Sequence, residues 1–204
     1  MSLANDFELY KREIDLIAKQ NPYECELYSI IASVMREREH SKEVSIRDVS
    51  KDQRSQELQN ENLYSENGVP DFVILNLEYK AGQIIDKSNP KNYGILGAIE
   101  IKNFNEPIDN PEQDRIKNIE QLKEHIKYFK KVIYTNGLVW QFYESENNAE
   151  DKGLKWTWQV SLKNNKQGNK LNINQEIEWA SVEIWNMLLK KLDETIEIMI
   201  NAKP

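Results

Sequence analysis

Two short apolar segments near the middle of the chain carry charged residues where a packed sheet normally has aliphatic ones. The first is GVPDFVIL, residues 68–75, and the second is GAIEIK, residues 97–102. Both have the apolar content of buried strands. Asp71 lies near the start of the first predicted strand, and Glu100 and Lys102 lie near the end of the second. Charges at strand ends are either solvated or grouped in a site that uses them.

The alternation of the second segment separates its charges from its aliphatic residues. Side chains two positions apart on a strand point to the same face. Glu100 and Lys102 therefore share one face, while Ile99 and Ile101 share the other. We expect the isoleucines to face a core and the two charged residues to face a different environment.

The two segments together are typical of an antiparallel hairpin. Apolar runs at 71–78 and 95–102 are separated by Gly, Asn and Pro residues that favour turns. A symmetric hairpin with its midpoint near Asp86 would place Asp71 opposite Lys102. All three charged residues would then lie at the same open end of the hairpin.

This arrangement of charges is suited to a divalent metal. Two carboxylates in a partly dry cleft repel each other unless a cation neutralises them. Mg²⁺ prefers oxygen ligands, so Asp71, Glu100, the backbone carbonyl of Ile101 and a substrate phosphate would suit it, with Mn²⁺ as a substitute. Lys102 would orient or deprotonate the attacking water, or stabilise developing negative charge. The alternative is a pair of solvated strand ends with an incidental salt bridge.

The rest of the chain alternates between helical and strand patterns. Apolar residues at helical spacing predict four helices, two of them N-terminal and one C-terminal, over residues 7–17, 27–35, 111–130 and about 174–201. Further strands are predicted at 131–135, 138–143 and 154–162. Since no repeat or linker divides the sequence, we expect a single domain of α/β (α+β) class over residues 1–204.

Two connecting segments also carry structural information. Asn136-Gly137 between two strand patterns predicts a tight two-residue hairpin turn. The polar segment from about 39 to 67 has only the short run VSIRDV with strand character, so we expect an ordered loop or flap there.

Composition excludes several classes of protein. The formal net charge of −7 argues against a protein that coats nucleic acid, although it permits a small basic groove. Cys25 is the single cysteine, and His40 and His125 are the only histidines, so an internal disulfide or a structural zinc site is not expected. Neither a signal peptide nor a membrane span is recognisable, which leads us to expect a cytoplasmic protein.

Pro70-Asp71 and Glu100-Ile101-Lys102 resemble the two halves of the motif of the PD-(D/E)xK nuclease superfamily. The resemblance extends from about Glu24 to Tyr143. It implies a restriction-endonuclease-like αβββαβ core, with a mixed central sheet flanked by helices and additional N- and C-terminal helices. It also implies a Mg²⁺-dependent nuclease that hydrolyses phosphodiester bonds, with DNA as the expected substrate.

Two further strings extend the resemblance. In ECELYSII, Glu24 matches the metal-facing helix acid of some family members, and Glu26 is the alternative. In EQLKEHIKYF, Gln121 fits the first position of a QxxxY signature found in nuclease domains of type I restriction motor subunits. His125 takes the place of the tyrosine, and Tyr128 follows one turn later. Gln121 is expected to bind water or phosphate, and His125 or Tyr128 to contact the nucleic-acid backbone.

A basic stripe completes the predicted site. Lys123, Lys127 and Lys130 recur at helical spacing, which predicts a phosphate-binding surface next to Gln121. The same lysines could instead complement the helix dipole. A homodimer is plausible if both DNA strands are cut. A non-catalytic binding module on the same fold and an RNA-directed nuclease are the alternative functions.

Overall fold

The computed structural model of the chain contains four α-helices, six β-strands and short 3₁₀ turns within its described residues. These residues are 5–50, 63–65, 68–83, 86, 90–109, 116–147, 154–164 and 176–201. The helices are α1 (Phe7–Gln20), α2 (Glu24–Arg36), α3 (Ile116–Phe129) and α4 (Val182–Asn201). The strands are β1 (Val44–Asp48), β2 (Phe72–Asn76), β3 (Ile95–Ile101), β4 (Lys131–Thr135), β5 (Val139–Glu144) and β6 (Trp158–Ser161).

The six strands form one mixed sheet in which spatial order follows chain order, β1-β2-β3-β4-β5-β6. Only β3 and β4 run parallel, and the other four pairs are antiparallel. A parallel pair needs a long crossover connection, and α3 lies within this one. The predicted α/β class is confirmed at this level: a mixed sheet with helices.

Helices cover both faces of the sheet. Ile99 and Ile101 pack in a core cluster with residues of α1, α2 and α4. Ala98 and Val132 belong to a second cluster, which includes the apolar side of α3. The alternation predicted for β3 is confirmed, because the isoleucines face one helical layer and Glu100 contacts α3 on the other. None of the described helices is long and apolar enough to cross a lipid bilayer.

The predicted N-terminal helices are confirmed, whereas the start of the C-terminal helix was predicted too early. α4 begins at Val182, not near 174. Before it, the Ala180 N–H donates to the Leu162 carbonyl at 2.7 Å, and Trp179 forms a β-bridge with Lys163. These backbone bonds hold the segment in an extended form. Residues 174–175 lie outside the described part of the chain, as do residues 111–115 at the predicted start of the third helix.

The prediction of a loop or flap between residues 39 and 67 was wrong for residues 44–48. They form β1, which pairs with β2 in a register that places Ile46 opposite Ile74. Val44 and Ile46 are buried in the cluster that contains α2. Two alternating aliphatic residues were therefore sufficient for an edge strand, because the neighbouring strand offered free backbone groups. Residues 51–62 and 66–67 lie outside the described residues.

The β2–β3 pairing has a different register from the predicted one. Phe72 pairs with Ile99, which extrapolates to Asp71 opposite Glu100 and not opposite Lys102. The pairing becomes irregular after Ile74, where Leu75 pairs with Ile95. The error of two residues is even, so it leaves every side chain on its predicted face.

The turn between β4 and β5 is displaced by one residue from its predicted position. Thr135 pairs with Trp140, and the Asn136 N–H donates to the Val139 carbonyl at 3.3 Å. Gly137 and Leu138 are therefore the central residues, with a φ of 81° at Gly137. The Asn136 side chain fixes this choice, because its Oδ1 accepts hydrogen bonds from the backbone N–H groups of Leu138 and Val139. β6 is also shorter than the predicted strand at 154–162.

Candidate active site

The fold brings the three charged residues of the strand segments into one buried cluster. Asp71 immediately precedes β2. Glu100 is the penultimate residue of β3, and Lys102 directly follows that strand. Antiparallel pairing of β2 with β3 places the start of one beside the end of the other. Asp71 is 8% exposed, Glu100 3% and Lys102 7%. Solvated strand ends with an incidental salt bridge do not describe this arrangement.

Glu100 and Lys102 form the centre of the cluster. The Lys102 ammonium donates to Glu100 Oε1 at 2.6 Å and to Gln121 Oε1 at 2.9 Å. The Glu100 and Lys102 side chains lie on the same face of the sheet, and Gln121 reaches them from α3, which packs on that face. The backbone of Lys102 is also fixed, because its N–H donates to the Thr135 carbonyl of β4 at 2.8 Å. The lysine is therefore anchored at both ends.

Asp71 is held by one backbone and one side-chain donor. The Ile101 N–H donates to Asp71 Oδ2 at 2.6 Å. The Tyr28 hydroxyl, from α2, donates to Asp71 Oδ1. Ile101 was predicted to offer its carbonyl to a metal, and the contact that the structure shows is made by its N–H. Both oxygens of the carboxylate thus have a fixed donor.

Of the two candidate helix acids, Glu24 is the one near the cluster. The Tyr28 hydroxyl lies 3.5 Å from Glu24 Oε1, and the Asn103 backbone N–H also bonds to the Glu24 carboxylate. Glu26 is exposed and accepts a hydrogen bond from the Asn21 side chain at 2.6 Å. Tyr28 therefore connects the helix acid with Asp71.

The carboxylates of Glu24, Asp71 and Glu100 lie around one ammonium, that of Lys102. This excess of negative over positive charge affects the pKa values of the acids. Burial raises the pKa of Asp71 well above its ordinary value, and the negative charge of Glu100 raises it further. Burial also raises the pKa of Glu24, although the Lys102 ammonium opposes that effect. The cluster has more negative charge than it neutralises internally.

The Lys102 ammonium is stabilised in its charged form. Burial alone lowers the pKa of this group, but the carboxylates around it, with Glu100 as the largest contributor, together more than offset burial, so that the pKa is raised. Glu24 and Asp71 contribute to the same upward shift. Lys102 therefore serves as a hydrogen-bond donor and positive charge, because the raised pKa disfavours the neutral amine that could accept a proton.

His125 lies deep in the site, and this corrects its predicted role as a contact for nucleic acid. The side chain is 0% exposed, so it cannot reach a phosphate at the surface. Its Nε2 lies 3.2 Å from Glu100 Oε2, and its Nδ1 lies 2.9 Å from the Ser65 hydroxyl. Gln121 and His125 are one helical turn apart, so both point from α3 towards the same acid–lysine pair. Tyr128, the alternative backbone contact, is buried in the apolar cluster under α3.

The lysine stripe lies on a different face of α3 from the one predicted. At 100° per residue, Lys123 is rotated by about 200° from Gln121 around the helix, and Lys127 by about 240°. Lys123 and Lys127 are exposed, and Lys130 follows the last residue of the helix with a φ of 66°. Lys127 also lies 3.8 Å from Glu124. The stripe faces solvent away from the acid–lysine cluster.

Sequence reasoning missed two residues of the site, Tyr28 and Ser65. Tyr28 is four residues after Glu24 on α2, a spacing that places both on one helical face and could have identified it. Its ring packs edge-on against Phe72, with ring centroids 5.7 Å apart. Ser65 carries no comparable signal, because its position depends on a backbone bridge to Gly68.

The donor set is compatible with a hard divalent cation, although it is not a closed cage. Among the residues that the structure describes, no group of three or more His, Cys, Asp or Glu side chains converges as a metal site. Asp71 and Glu100 nevertheless provide two buried carboxylates, and each ionised carboxylate has about four acceptor positions. Mg²⁺ is commonly held by one or two carboxylates together with waters and substrate oxygens. Relief of the mutual repulsion of the two acids would also favour binding of a cation.

No protein-family model, curated protein or solved structure matches this chain. The geometry of the cluster and the order of the elements around it are therefore the observations that bear on function. Both are properties of the chain itself.

Proposed function

We propose that this chain is a Mg²⁺-dependent nuclease of the PD-(D/E)xK type that hydrolyses phosphodiester bonds, with DNA as its substrate. The observation that carries the proposal is the convergence of Asp71, Glu100 and Lys102 within one buried cluster. Burial of three charged groups is costly and is found where their charges are paired or used. A surplus of negative charge beside a fixed ammonium is what a site for a divalent cation and a phosphate requires.

The order of the elements around the cluster supports the same proposal. From α2 to β4 the chain runs helix, three strands, helix, strand. This is the αβββαβ order that the resemblance to the nuclease superfamily implies. The proposed acids also occupy the positions expected from the motif, with Asp71 before the second strand and Glu100 near the end of the third.

Asp71 and Glu100 would hold the cation, with Mn²⁺ as a substitute for Mg²⁺ and Glu24 as an outer acid. When bound, such a cation lowers the pKa of a coordinated water and neutralises negative charge on phosphoryl oxygens. The pKa of Asp71 supports these assignments, because burial and the negative charge of Glu100 raise it and a bound cation would oppose both effects. The Ile101 N–H and the Tyr28 hydroxyl orient the Asp71 carboxylate.

Lys102 and Gln121 supply the remaining polar groups of the site. The ammonium of Lys102 would donate hydrogen bonds to the attacking water or to a phosphoryl oxygen as negative charge develops. Its raised pKa supports this role over that of a proton acceptor. Gln121 uses its Oε1 to accept from Lys102, which leaves its amide nitrogen to donate to water or phosphate.

A non-catalytic binding module is the second candidate, and one observation favours it. All four oxygens of Asp71 and Glu100 already accept a hydrogen bond from the protein. A self-contained network of this kind can be purely structural. The surplus of negative charge distinguishes the two candidates, since only the nuclease proposal gives it a use.

Digestion of plasmid and oligonucleotide substrates in Mg²⁺ or Mn²⁺ tests the proposal. The wild-type protein should cut DNA only when a divalent cation is present, and Glu100→Ala and Lys102→Ala should lose this activity. RNA oligonucleotides in parallel reactions determine which nucleic acid is preferred. Equal cutting by all three proteins would indicate a contaminant, and no cutting of either nucleic acid would support the binding module.

A further inference from the structure

We propose that His125 and Ser65 act together as positioning residues that fix the orientation of Glu100. The chain of contacts is continuous: Glu100 Oε2 lies 3.2 Å from His125 Nε2, and His125 Nδ1 lies 2.9 Å from Ser65 Oγ. We call these three residues the Glu100–His125–Ser65 chain. The inference rests on the proposed function, in which Glu100 binds the metal, and it adds two residues to that site.

The chemistry of the carboxylate determines the direction of the first hydrogen bond. An ionised carboxylate only accepts, so the His125 nitrogen that faces Glu100 must be the one that carries a hydrogen. His125 is therefore an Nε2–H tautomer, or carries hydrogen on both nitrogens. The Ser65 hydroxyl has a single hydrogen, and its oxygen lies 3.0 Å from the Gly68 carbonyl and 2.9 Å from His125 Nδ1. In the neutral Nε2–H tautomer this hydrogen is donated to Nδ1, whereas in the doubly protonated imidazole Nδ1–H donates to Ser65 Oγ and the hydroxyl donates to Gly68. One side of the imidazole thus orients the acid, and the other side orients the imidazole.

Ser65 is held in place by a backbone bridge that leaves it facing α3. Its N–H donates to the Gly68 carbonyl at 3.0 Å, and the Gly68 N–H donates back to the Ser65 carbonyl at 3.4 Å. Ser65 is buried, with 7% of its surface exposed. The bridge therefore places a hydroxyl group at a fixed position beside a fully buried imidazole.

Gly68 has a backbone and a location that explain why glycine is present. Its φ of 148° is rarely adopted by residues with a side chain. A Cβ at this position would lie 3.5 Å from Gln121 Nε2 and 4.0 Å from His125 Cε1. The Ser65–Gly68 bridge therefore packs directly on the two α3 side chains that enter the site.

The consequence for Glu100 is that both of its oxygens have assigned donors. Oε1 accepts from Lys102 at 2.6 Å, and Oε2 accepts from His125. Two donors on different elements fix the plane of the carboxylate, whereas the lysine alone would leave rotation about the last side-chain bond. Removal of a group that hydrogen-bonds to a metal-binding side chain commonly weakens metal affinity by about 10- to 100-fold.

Two substitutions at His125 separate its two contacts. In His125→Gln the amide nitrogen lies near the position of Nε2, so the donor to Glu100 is retained and the contact with Ser65 is lost. In His125→Asn the side chain is too short to reach Glu100. We expect Mn²⁺ affinity, measured by calorimetry, to fall by about 3- to 10-fold in His125→Gln, as for loss of the Ser65 contact alone, and by about 10- to 100-fold in His125→Asn. Equal affinities in the two variants and the wild type would overturn the proposal.

A spectroscopic measurement on the wild-type protein covers the case in which His125→Asn does not fold. Long-range ¹H–¹⁵N correlation spectra distinguish the tautomers of the two histidines, and the signals of the half-buried His40 are assigned from a His40→Asn variant. The proposal predicts a hydrogen on His125 Nε2. A hydrogen on Nδ1 alone would contradict it, because the unprotonated Nε2 would then face the carboxylate.

Ser65→Ala tests the outer end of the chain against a matched control. Ser161 is the control because its hydroxyl lies 3.0 Å from the Lys163 carbonyl, as the Ser65 hydroxyl lies 3.0 Å from the Gly68 carbonyl, and the Ser161 hydroxyl has no histidine partner among the contacts described. We expect Ser65→Ala to weaken Mn²⁺ binding by about 3- to 10-fold and to shift the His125 Nδ1 resonance. Ser161→Ala should leave both unchanged. An unshifted Nδ1 resonance in Ser65→Ala would overturn the role of Ser65.

Failure of this inference is distinguishable from failure of the proposed function. If the wild-type protein binds metal and cuts DNA while the His125 variants behave like it, only the positioning role is lost. If the wild-type protein neither binds Mn²⁺ nor cuts DNA, the function is lost, and the tautomer of His125 still decides whether the hydrogen bond to Glu100 exists.

Discussion

Lys102 and Lys163 are both buried lysines that pair with a carboxylate in the described part of the chain, and the two sites differ in their balance of charge. Lys163 lies 3.1 Å from Asp109, with side chains that are 6% and 17% exposed. Lys102 lies 2.6 Å from Glu100, with side chains that are 9% and 3% exposed. In the described structure the first pair matches one ammonium with one carboxylate. The second matches one ammonium with three, because Asp71 and Glu24 lie in the same cluster.

The comparison teaches that burial of an ion pair is not by itself a sign of a functional site. A balanced pair satisfies its own charges and can serve only to join parts of the fold. An unbalanced cluster retains negative charge that raises the pKa of Asp71 and Glu24 and that a cation would neutralise. The following predictions treat the Lys163–Asp109 pair as the structural reference for the Lys102 cluster.

The largest difference between the two sites is expected in the rate of DNA hydrolysis when an aspartate of each is substituted. Asp71→Asn should lower Mg²⁺-dependent DNA hydrolysis by at least about 10³-fold, because it removes a negative ligand of the cation. Asp109→Asn should leave the rate within about threefold of wild type, even though it removes the half-buried carboxylate that pairs with Lys163. Initial rates on a fluorescent oligonucleotide measure both. Comparable losses in the two variants would mean that activity follows stability and not the proposed site.

Substitution of the two lysines should differ in whether a divalent cation restores the free energy of unfolding that the substitution removes. Removal of one partner of a buried ion pair costs about 3 kcal/mol, since the other charge is left unpaired. Lys102→Met and Lys163→Met should therefore both lower the free energy of unfolding by about this amount in EDTA. Addition of Mg²⁺ or Mn²⁺ should restore stability only in Lys102→Met, where a cation can replace the ammonium beside Glu100.

Urea unfolding followed by circular dichroism measures these free energies with and without the cation. The same cation-dependent recovery in both variants would remove the distinction between the two pairs. Recovery in neither variant would argue that the cluster holds no divalent ion.

Tyr28 should produce a smaller effect. Tyr28→Phe removes the hydroxyl that donates to Asp71 and retains the ring that packs against Phe72. A hydrogen bond to a charged group contributes about 1.5 kcal/mol or more, so Mn²⁺ affinity should fall about 10-fold. Tyr143→Phe, which removes a hydroxyl bonded to Gln141 at 3.0 Å, is the matched control and should leave the affinity unchanged. A larger loss of Mn²⁺ affinity in Tyr143→Phe than in Tyr28→Phe would contradict the role given to Tyr28.

The smallest effect is expected from the lysine stripe. Because Lys123 and Lys127 face away from the cluster, the double substitution Lys123→Ala/Lys127→Ala should change KM for DNA by less than about threefold at 0.1 M salt. A larger rise in KM, together with a weaker dependence of binding on salt, would show that the DNA path crosses the outer face of α3. The original prediction from the sequence would then be restored.

The sequence was a good guide to the elements and to the three charged residues of the cluster. Strand periodicity placed Glu100 and Lys102 on one face, and this result does not depend on the register of the hairpin, because an even error keeps the faces. The run VSIRDV was recognised as having strand character, but the segment containing β1 was assigned to a loop or flap because two buried aliphatic residues are a weak local signal. Its formation depends on the free edge of β2, which is a tertiary property.

Other parts of the site depended on geometry that a linear pattern does not contain. The stripe of lysines was recognised by spacing, but its angle relative to Gln121 required a helical projection, and the burial of His125 required the packing of α3 on the sheet. Ser65 entered the site through a backbone bridge to Gly68, for which the residue types give no indication. Spacing predicted which residues share a face, and packing decided what each face contacts.

Calorimetric titration with Mn²⁺ and Mg²⁺ measures whether Asp71 and Glu100 together bind a divalent cation. The wild-type protein and Asp109→Asn should bind with a Kd in the millimolar range or tighter, while Asp71→Asn and Glu100→Gln should bind at least about 10-fold more weakly. Absence of binding to the wild-type protein, or equal binding by all four proteins, would contradict the account.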